Sequence, residues 1–207
     1  MVGTLCFLAA IALFLFNTYE DQKAKERVET VLPQIRKLTP TAATPWEESG
    51  ATDGPEAVPT GTAPDLYIPD YILNPQMEMP TVEVEGDEYI GTLYFPTLQI
   101  ELPVMSSWSY PNLKKSPCLY SGSVYTGNAV IAAHNYASHF GRLTKLAPGD
   151  AVYFTDVDGN LFTYAVVLQE VLEPTAIEEM TAADYDLSLF TCTLGGQSRF
   201  TVRCSRR

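Results

Sequence analysis

The run from Val2 to Phe16, Val-Gly-Thr-Leu-Cys-Phe-Leu-Ala-Ala-Ile-Ala-Leu-Phe-Leu-Phe, has no polar face. Extended to Tyr19 it spans about 19 residues, near the lower end for a helix that crosses a bilayer. Residues 20–38 change character. Helix formers dominate, and Val28, Val31, Leu32 and Ile35 recur at helical spacing. Pro33 is expected to end or kink that helix. Residues 39–65 lose periodicity and are rich in Pro, Ala, Thr and Gly, the pattern of a disordered linker. From Leu66 apolar positions return without a period. Tyr67, Ile68, Tyr71, Ile72, Met77 and Met79 are too many for a free tether. Residues 66–88 therefore read as an extended strap packed on a domain, and a place away from the active site is expected for it.

From Tyr89 onward the pattern is one of short strands. They are expected over residues 90–95, 98–104, 129–133, 151–155, 161–171, 187–192 and 199–204, with strand or loop over 119–125 and short helices over 138–146 and 175–184. About eight short strands with little helix argue for a β-barrel or a sandwich. The chain divides into a transmembrane anchor (1–19), a juxtamembrane helix (20–38), a linker (39–65), the strap (66–88) and a catalytic domain (89–207).

Charge sharpens this division. The chain of 207 residues carries a net charge of -12. Residues 1–88 hold 15 acidic against 5 basic residues, a net of -10, and residues 89–207 hold 10 against 8, a net of -2. Acidity on this scale speaks against nucleic acid as a partner, which needs basic surface. No basic region precedes the apolar run and no small-residue cleavage site follows it, so an anchor is expected over a cleaved signal peptide. Lys23, Lys25 and Arg27 follow the run, and the positive-inside rule alone would place the remainder in the cytoplasm.

The chemistry concentrates in Leu187-Ser-Leu-Phe-Thr-Cys192-Thr-Leu-Gly-Gly-Gln-Ser-Arg199-Phe-Thr-Val-Arg203. Two strands joined by a Gly-Gly turn put Cys192 and Arg199 nearly opposite each other. Arg199, Thr201 and Arg203 share a strand face, and Arg203 lies roughly 13 Å further on. It is expected to be structural. A guanidinium beside a thiol favours thiolate and can hold an oxyanion. A histidine completes the set, and only two are present. His134 ends the apolar strand Val130–Ala133 and is preferred; His139 sits in the polar stretch Ala-Ser-His-Phe-Gly-Arg and is expected to be exposed. No Cys-x-x-Cys or His cluster suggests a metal. Asp156-Val-Asp-Gly-Asn160 faintly suggests a calcium loop but suits a hairpin turn better. Cys118 and Cys204 are either a disulfide, if the domain is extracellular, or two buried thiols.

Leu-Phe-Thr-Cys resembles the Thr-Leu-x-Thr-Cys signature of the sortases, the cysteine transpeptidases of Gram-positive surfaces. The histidine after a strand and the arginine opening the strand after the cysteine match as well. The resemblance covers roughly Tyr89 to Arg203. It implies an eight-stranded sortase-type β-barrel, preceded here by the transmembrane helix and extended linker. It also implies a single-pass membrane protein with the catalytic domain outside. The reaction implied is cleavage of a Leu-Pro-x-Thr-Gly-like sorting motif through a thioacyl intermediate. The acyl group then passes to an amine of a lipid-linked cell-wall precursor or a pilin lysine. Cys192 would be the nucleophile, His134 the general acid and base, and Arg199 the oxyanion or carbonyl holder. Thr191, Thr193 and Asn135 would support the substrate or the oxyanion. No cofactor is implied; some sortases bind calcium, and no acidic cluster marks such a site here. The compact loops favour a class D or unclassed clostridial-type enzyme. Two other readings stand beside this one: a different peptidoglycan-directed cysteine hydrolase or L,D-transpeptidase-like enzyme, and a non-enzymatic surface binding module.

Overall fold

The computed structural model describes residues 2–40 and 68–207. The linker expected over 39–65 falls almost wholly outside them. Nine strands run β1 (Val82–Val84), β2 (Asp87–Phe95), β3 (Ile100–Met105), β4 (Cys118–Ser121), β5 (Ala129–Ala132), β6 (Ala151–Asp156), β7 (Leu161–Leu172), β8 (Leu187–Cys192) and β9 (Arg199–Arg206). Their order in the sheet is β1-β2-β3-β4-β5-β8-β9-β7-β6, and a β2–β6 pairing closes it. The closed part, β2 to β9, is the eight-stranded barrel. Closure depends on Gly91, where the register of β2 against β3 shifts. Its φ is +152°, and a Cβ there would strike the Thr155 carbonyl oxygen of β6.

β1 lies within the segment expected to be a strap. It pairs with β2 across Glu85-Gly86, both at positive φ (52° and 79°), which fits a type I′ hairpin turn. The expected helix at 138–146 is a 3₁₀ segment, Phe140–Lys145, and the one at 175–184 shortens to α4 (Ile177–Thr181). A single turn, α3 (Tyr110–Leu113), sits in the loop before β4. The Asp156 carboxylate is fully buried and organises the β6–β7 turn. It accepts from the backbone N–H groups of Asp158 and Asn160, from Asn160 Nδ2 and from the Tyr125 hydroxyl. Cys118 and Cys204 are free and buried in separate apolar clusters.

The N-terminal helix α1 is one element, Val2–Leu38, and Pro33 lies inside it. The proline does not end the helix because the turns around it are held from outside. Ala24, Val28, Val31 and Ile35 are buried against the barrel. This stripe includes Ala24 and leaves Leu32 only partly covered. Arg27 adds ion pairs to Glu85 and Asp87, and Arg36 pairs with Glu101. The apolar half of α1 is long and hydrophobic enough to cross a membrane, and none of its side chains is buried by protein. The strap carries its own short helix, α2 (Asp70–Leu73). Tyr71 stacks on Tyr125 at 4.8 Å and lies 5.2 Å from Phe162. Those rings belong to the turn before β5 and the start of β7, the barrel end opposite Cys192.

Candidate active site

Side chains alternate across each strand, so burial shows which way they face. In β8, Leu187 and Leu189 enter the barrel core, and Thr191 is buried on the same side. Ser188, Phe190 and Cys192 therefore face outward. In β5, Ala129, Ile131 and Ala133 point into the core, so His134 shares the outward face. In β9, Val202 and Cys204 point inward, so Arg199, Thr201 and Arg203 point out.

The three strands are neighbours in the order β5-β8-β9. Cys192 is the register partner of Arg199. The Thr193 N–H donates to the Ser198 carbonyl at 3.0 Å. In an antiparallel ladder this makes Cys192 and Arg199 the adjoining closer pair, with Cα atoms about 4.5 Å apart. On the other side β5 runs parallel to β8, with Ala132 beside Phe190. The pairing continues through the Ala133 N–H to the Phe190 carbonyl at 3.1 Å. His134 follows two residues after the end of β5; this register carried two residues further would set it level with Cys192, one strand spacing of about 4.8 Å away. Cys192 thus has Arg199 as its neighbour on one side and the strand leading to His134 on the other. Among the described residues no hydrogen bond joins the thiol to the imidazole.

His134 sits in a tightly wound loop. Its carbonyl accepts from the Phe140 N–H at 3.1 Å, and the Tyr136 carbonyl accepts from His139 and Gly141 at 3.0 and 2.9 Å. The Tyr136 ring lies 4.8 Å from the imidazole. Burial pushes the His134 pKa below its ordinary value, the nearby Lys114 ammonium adds to this, and Glu20 opposes it. His139 corrects an expectation. It is 0% exposed, with the Lys115 backbone beside its ring. The loop turns inward after Tyr136 and carries it under the surface, where burial and the neighbouring His134 push its pKa down to about 4.

The supporting residues divide. Asn135 is exposed beside His134. Thr191 faces the core and its hydroxyl is buried without a partner, so it stands behind the thiol and not in the cleft. The Thr193 N–H is already committed to Ser198, and its hydroxyl lies 2.8 Å from the Ser198 hydroxyl. In this conformation Thr193 shapes the turn and offers no free N–H to an oxyanion. Arg199 Nη1 donates to the carbonyls of Gly196 and Ser198, both at 3.1 Å, which fixes the guanidinium over its own turn. Arg203 is 2% exposed and bonded to Glu170, Ser188 and the carbonyls of Glu179 and Met180. It pins α4 and the β7–β8 connection to the outside of β9.

Sequence reasoning missed the contribution of α1. Glu20 pairs with Lys114 at 3.5 Å. The Asp21 carboxylate accepts from the Ser138 N–H at 3.1 Å and also from its hydroxyl. Nothing in the sequence distinguishes these two acids from an ordinary polar flank.

The strand carrying Cys192 is thus flanked by the strand that leads to His134 and the strand that opens on Arg199, on a closed β-barrel. The sortase domain model matches residues 93–207, more than half of the chain, and the chain belongs to the sortase family. Sortases are cysteine transpeptidases. Sortase A of Listeria monocytogenes is 26% identical over 114 residues, covering 52% of this chain and 51% of that protein. The chain spans about half the length of the curated relatives it matches. Among solved structures, sortase C2 of pilus island 1 from Group B Streptococcus is 28% identical with a TM-score of 0.52, covering 60% of this chain and 76% of that one. A Clostridium perfringens sortase D5 transpeptidase shares the fold at a TM-score of 0.51 and 19% identity, covering 57% of this chain and 79% of that one. These relatives come from three sortase classes, so the likeness does not select one.

Proposed function

We propose that this protein is a membrane-anchored transpeptidase that cleaves a sorting motif of the Leu-Pro-x-Thr-Gly kind and transfers the acyl part to an amine. The observation that carries this reading is that Cys192 at the end of β8 is the register partner of Arg199 in β9, while His134 follows just past the end of the neighbouring β5. The Cys192 thiol gives its proton to His134 as its sulfur attacks the carbonyl carbon of the threonine–glycine bond, and Arg199 turns from the Gly196 and Ser198 carbonyls to hold the developing oxyanion. His134 protonates the departing amine as the C–N bond breaks, leaving a thioester on Cys192. It then takes a proton from the incoming amine, which displaces the sulfur and forms the new amide. The apolar half of α1 holds the enzyme in the membrane with the barrel outside. The acceptor is an amine of a lipid-linked cell-wall precursor or a pilin lysine. The loops are as compact as a class D or unclassed clostridial-type enzyme would have.

The test uses the full chain in detergent micelles or nanodiscs with fluorogenic Leu-Pro-x-Thr-Gly-type peptides, with and without an amine, followed by intact mass. The expected result is an acyl adduct that disappears in Cys192→Ala, and an amide product that requires amine. His134→Ala should lower kcat/KM by about 10²–10⁴-fold, and Arg199→Ala by about 10²–10³-fold. An adduct that persists in Cys192→Ala, or full activity in His134→Ala, would sink the assignment.

A further inference from the structure

The barrel has two ends, and α1 runs between them. At one end Asp21 binds Ser138 and Glu20 binds Lys114, either side of His134. At the other, Pro40 lies against Gly159 in the β6–β7 turn. The apolar half of α1 therefore leaves the domain from the end that holds His134 and Cys192. We propose that this end of the barrel rests on the bilayer, with the Cys192 cleft in the headgroup layer. The inference rests on reading Val2–Tyr19 as the membrane span.

The dimensions agree. Residues 2–19 make about 27 Å of helix against a hydrocarbon core of about 30 Å. Asp21 then lies about 3 Å past Tyr19. The headgroup layer is about 5–7 Å deep on each side. Ser138, in contact with Asp21, falls within it. The helix is continuous from the span to the barrel, and its buried stripe and ion pairs leave no swivel between them.

The surface at this end suits a membrane. Leu194, at the tip of the β8–β9 turn just past Cys192, is 95% exposed. Tyr110, which opens the turn α3 ahead of Lys114, is 73% exposed. An exposed leucine and a tyrosine are side chains that settle at a bilayer interface. A cleft of about 600 Å³ between α1 and the barrel is lined here by Thr18, Asp21, Lys25, Ser138 and Arg142. Peptide bonds presented close to the bilayer are then the ones within reach of the thiol.

Depth-dependent quenching tests this. The full chain carries Cys6→Ser and Cys192→Ala, and Cys118 and Cys204 stay buried. A fluorophore is attached at Leu194→Cys or, as the distal control, at Asp158→Cys in the β6–β7 turn. The protein is reconstituted into phosphatidylglycerol/phosphatidylcholine vesicles containing headgroup nitroxide lipids, and its flotation is followed. The expected result is loss of more than half the emission from position 194 and little from position 158. A flexible insert of about twelve Gly/Ser residues between Tyr19 and Glu20 should relieve the quenching. Flotation without quenching at 194, or stronger quenching at 158, overturns the orientation while leaving the anchor. A chain that fails to float overturns the anchor itself, and the orientation with it.

Discussion

His139 is the more deeply buried of the two histidines, and it carries a cost that can be measured. Burial, and after it the charge of His134, hold its pKa near 4, below the 6.5 of a free imidazole. The unfolded chain binds a proton that the folded domain refuses. Stability should therefore fall as pH drops from about 6.5 to about 4 and level off below, by on the order of 3 kcal/mol. His139→Leu removes the buried imidazole and with it the proton that only the unfolded chain takes up. Urea unfolding across this window should show a flatter acid limb, with a residual slope from His134, whose pKa burial also pushes down. Transpeptidation should survive. An unchanged slope would mean that the ring is hydrated or paired in solution. At this scale the sequence was informative where strand geometry decides. The seven-residue spacing around Gly195-Gly196 sets Cys192 against Arg199, and strand alternation turns Thr191 away from the thiol. It was silent on His139. The local stretch Ala-Ser-His-Phe-Gly-Arg is polar, and only the inward winding of the loop after Tyr136 buries the ring.

That winding makes the 134–141 loop the element on which the site depends. Gly141 is its closing residue. Its N–H donates to the Tyr136 carbonyl, and a Cβ would come within 2.5 Å of the Asn135 carbonyl oxygen and 2.7 Å of that of Tyr136. Both obstacles are backbone, so the loop must open to admit even a methyl group. Gly141→Ala should displace His134 from its level beside Cys192 and lower kcat/KM by about tenfold to a hundredfold. The melting temperature should change far less than in a core substitution. Wild-type turnover in Gly141→Ala would show that the loop's winding does not position the imidazole. The strands themselves were legible because each is a short apolar run bounded by turn residues. β1 was not, because three residues between proline-rich and acidic segments give too little alternation to stand out. It exists because the Glu85-Gly86 turn folds it back onto β2.

At the scale of the molecule, α1 has one half long and apolar enough to cross a membrane and another that is a wall of the domain. Helical spacing announced its buried stripe, but nothing in the sequence said that the stripe would meet the barrel and not a partner helix. Val31 and Ile35 close the cluster formed by Val84, Tyr89, Met105 and Leu113. Val28 joins the main core. Each such side chain contributes about 1.5–3 kcal/mol by leaving water. A chain that begins at Leu66 keeps the whole barrel and strap yet uncovers this apolar surface. A chain that begins at Glu20 sheds the membrane span and retains the cover. The shorter chain should therefore melt about 10 °C or more below the longer one, or aggregate, since 1 kcal/mol moves a domain of this size by about 2–4 °C. Scanning calorimetry on the two proteins decides the matter, and equal melting temperatures would mean that the helix only leans on the barrel. If the gap is found, the ion pairs of Arg27 with Glu85 and Asp87 gain a second meaning. They lock the segment that follows the apolar half of α1 to the sheet that bears Cys192, so on the proposed membrane span the position of the thiol relative to the bilayer is set by the same contacts that stabilise the fold.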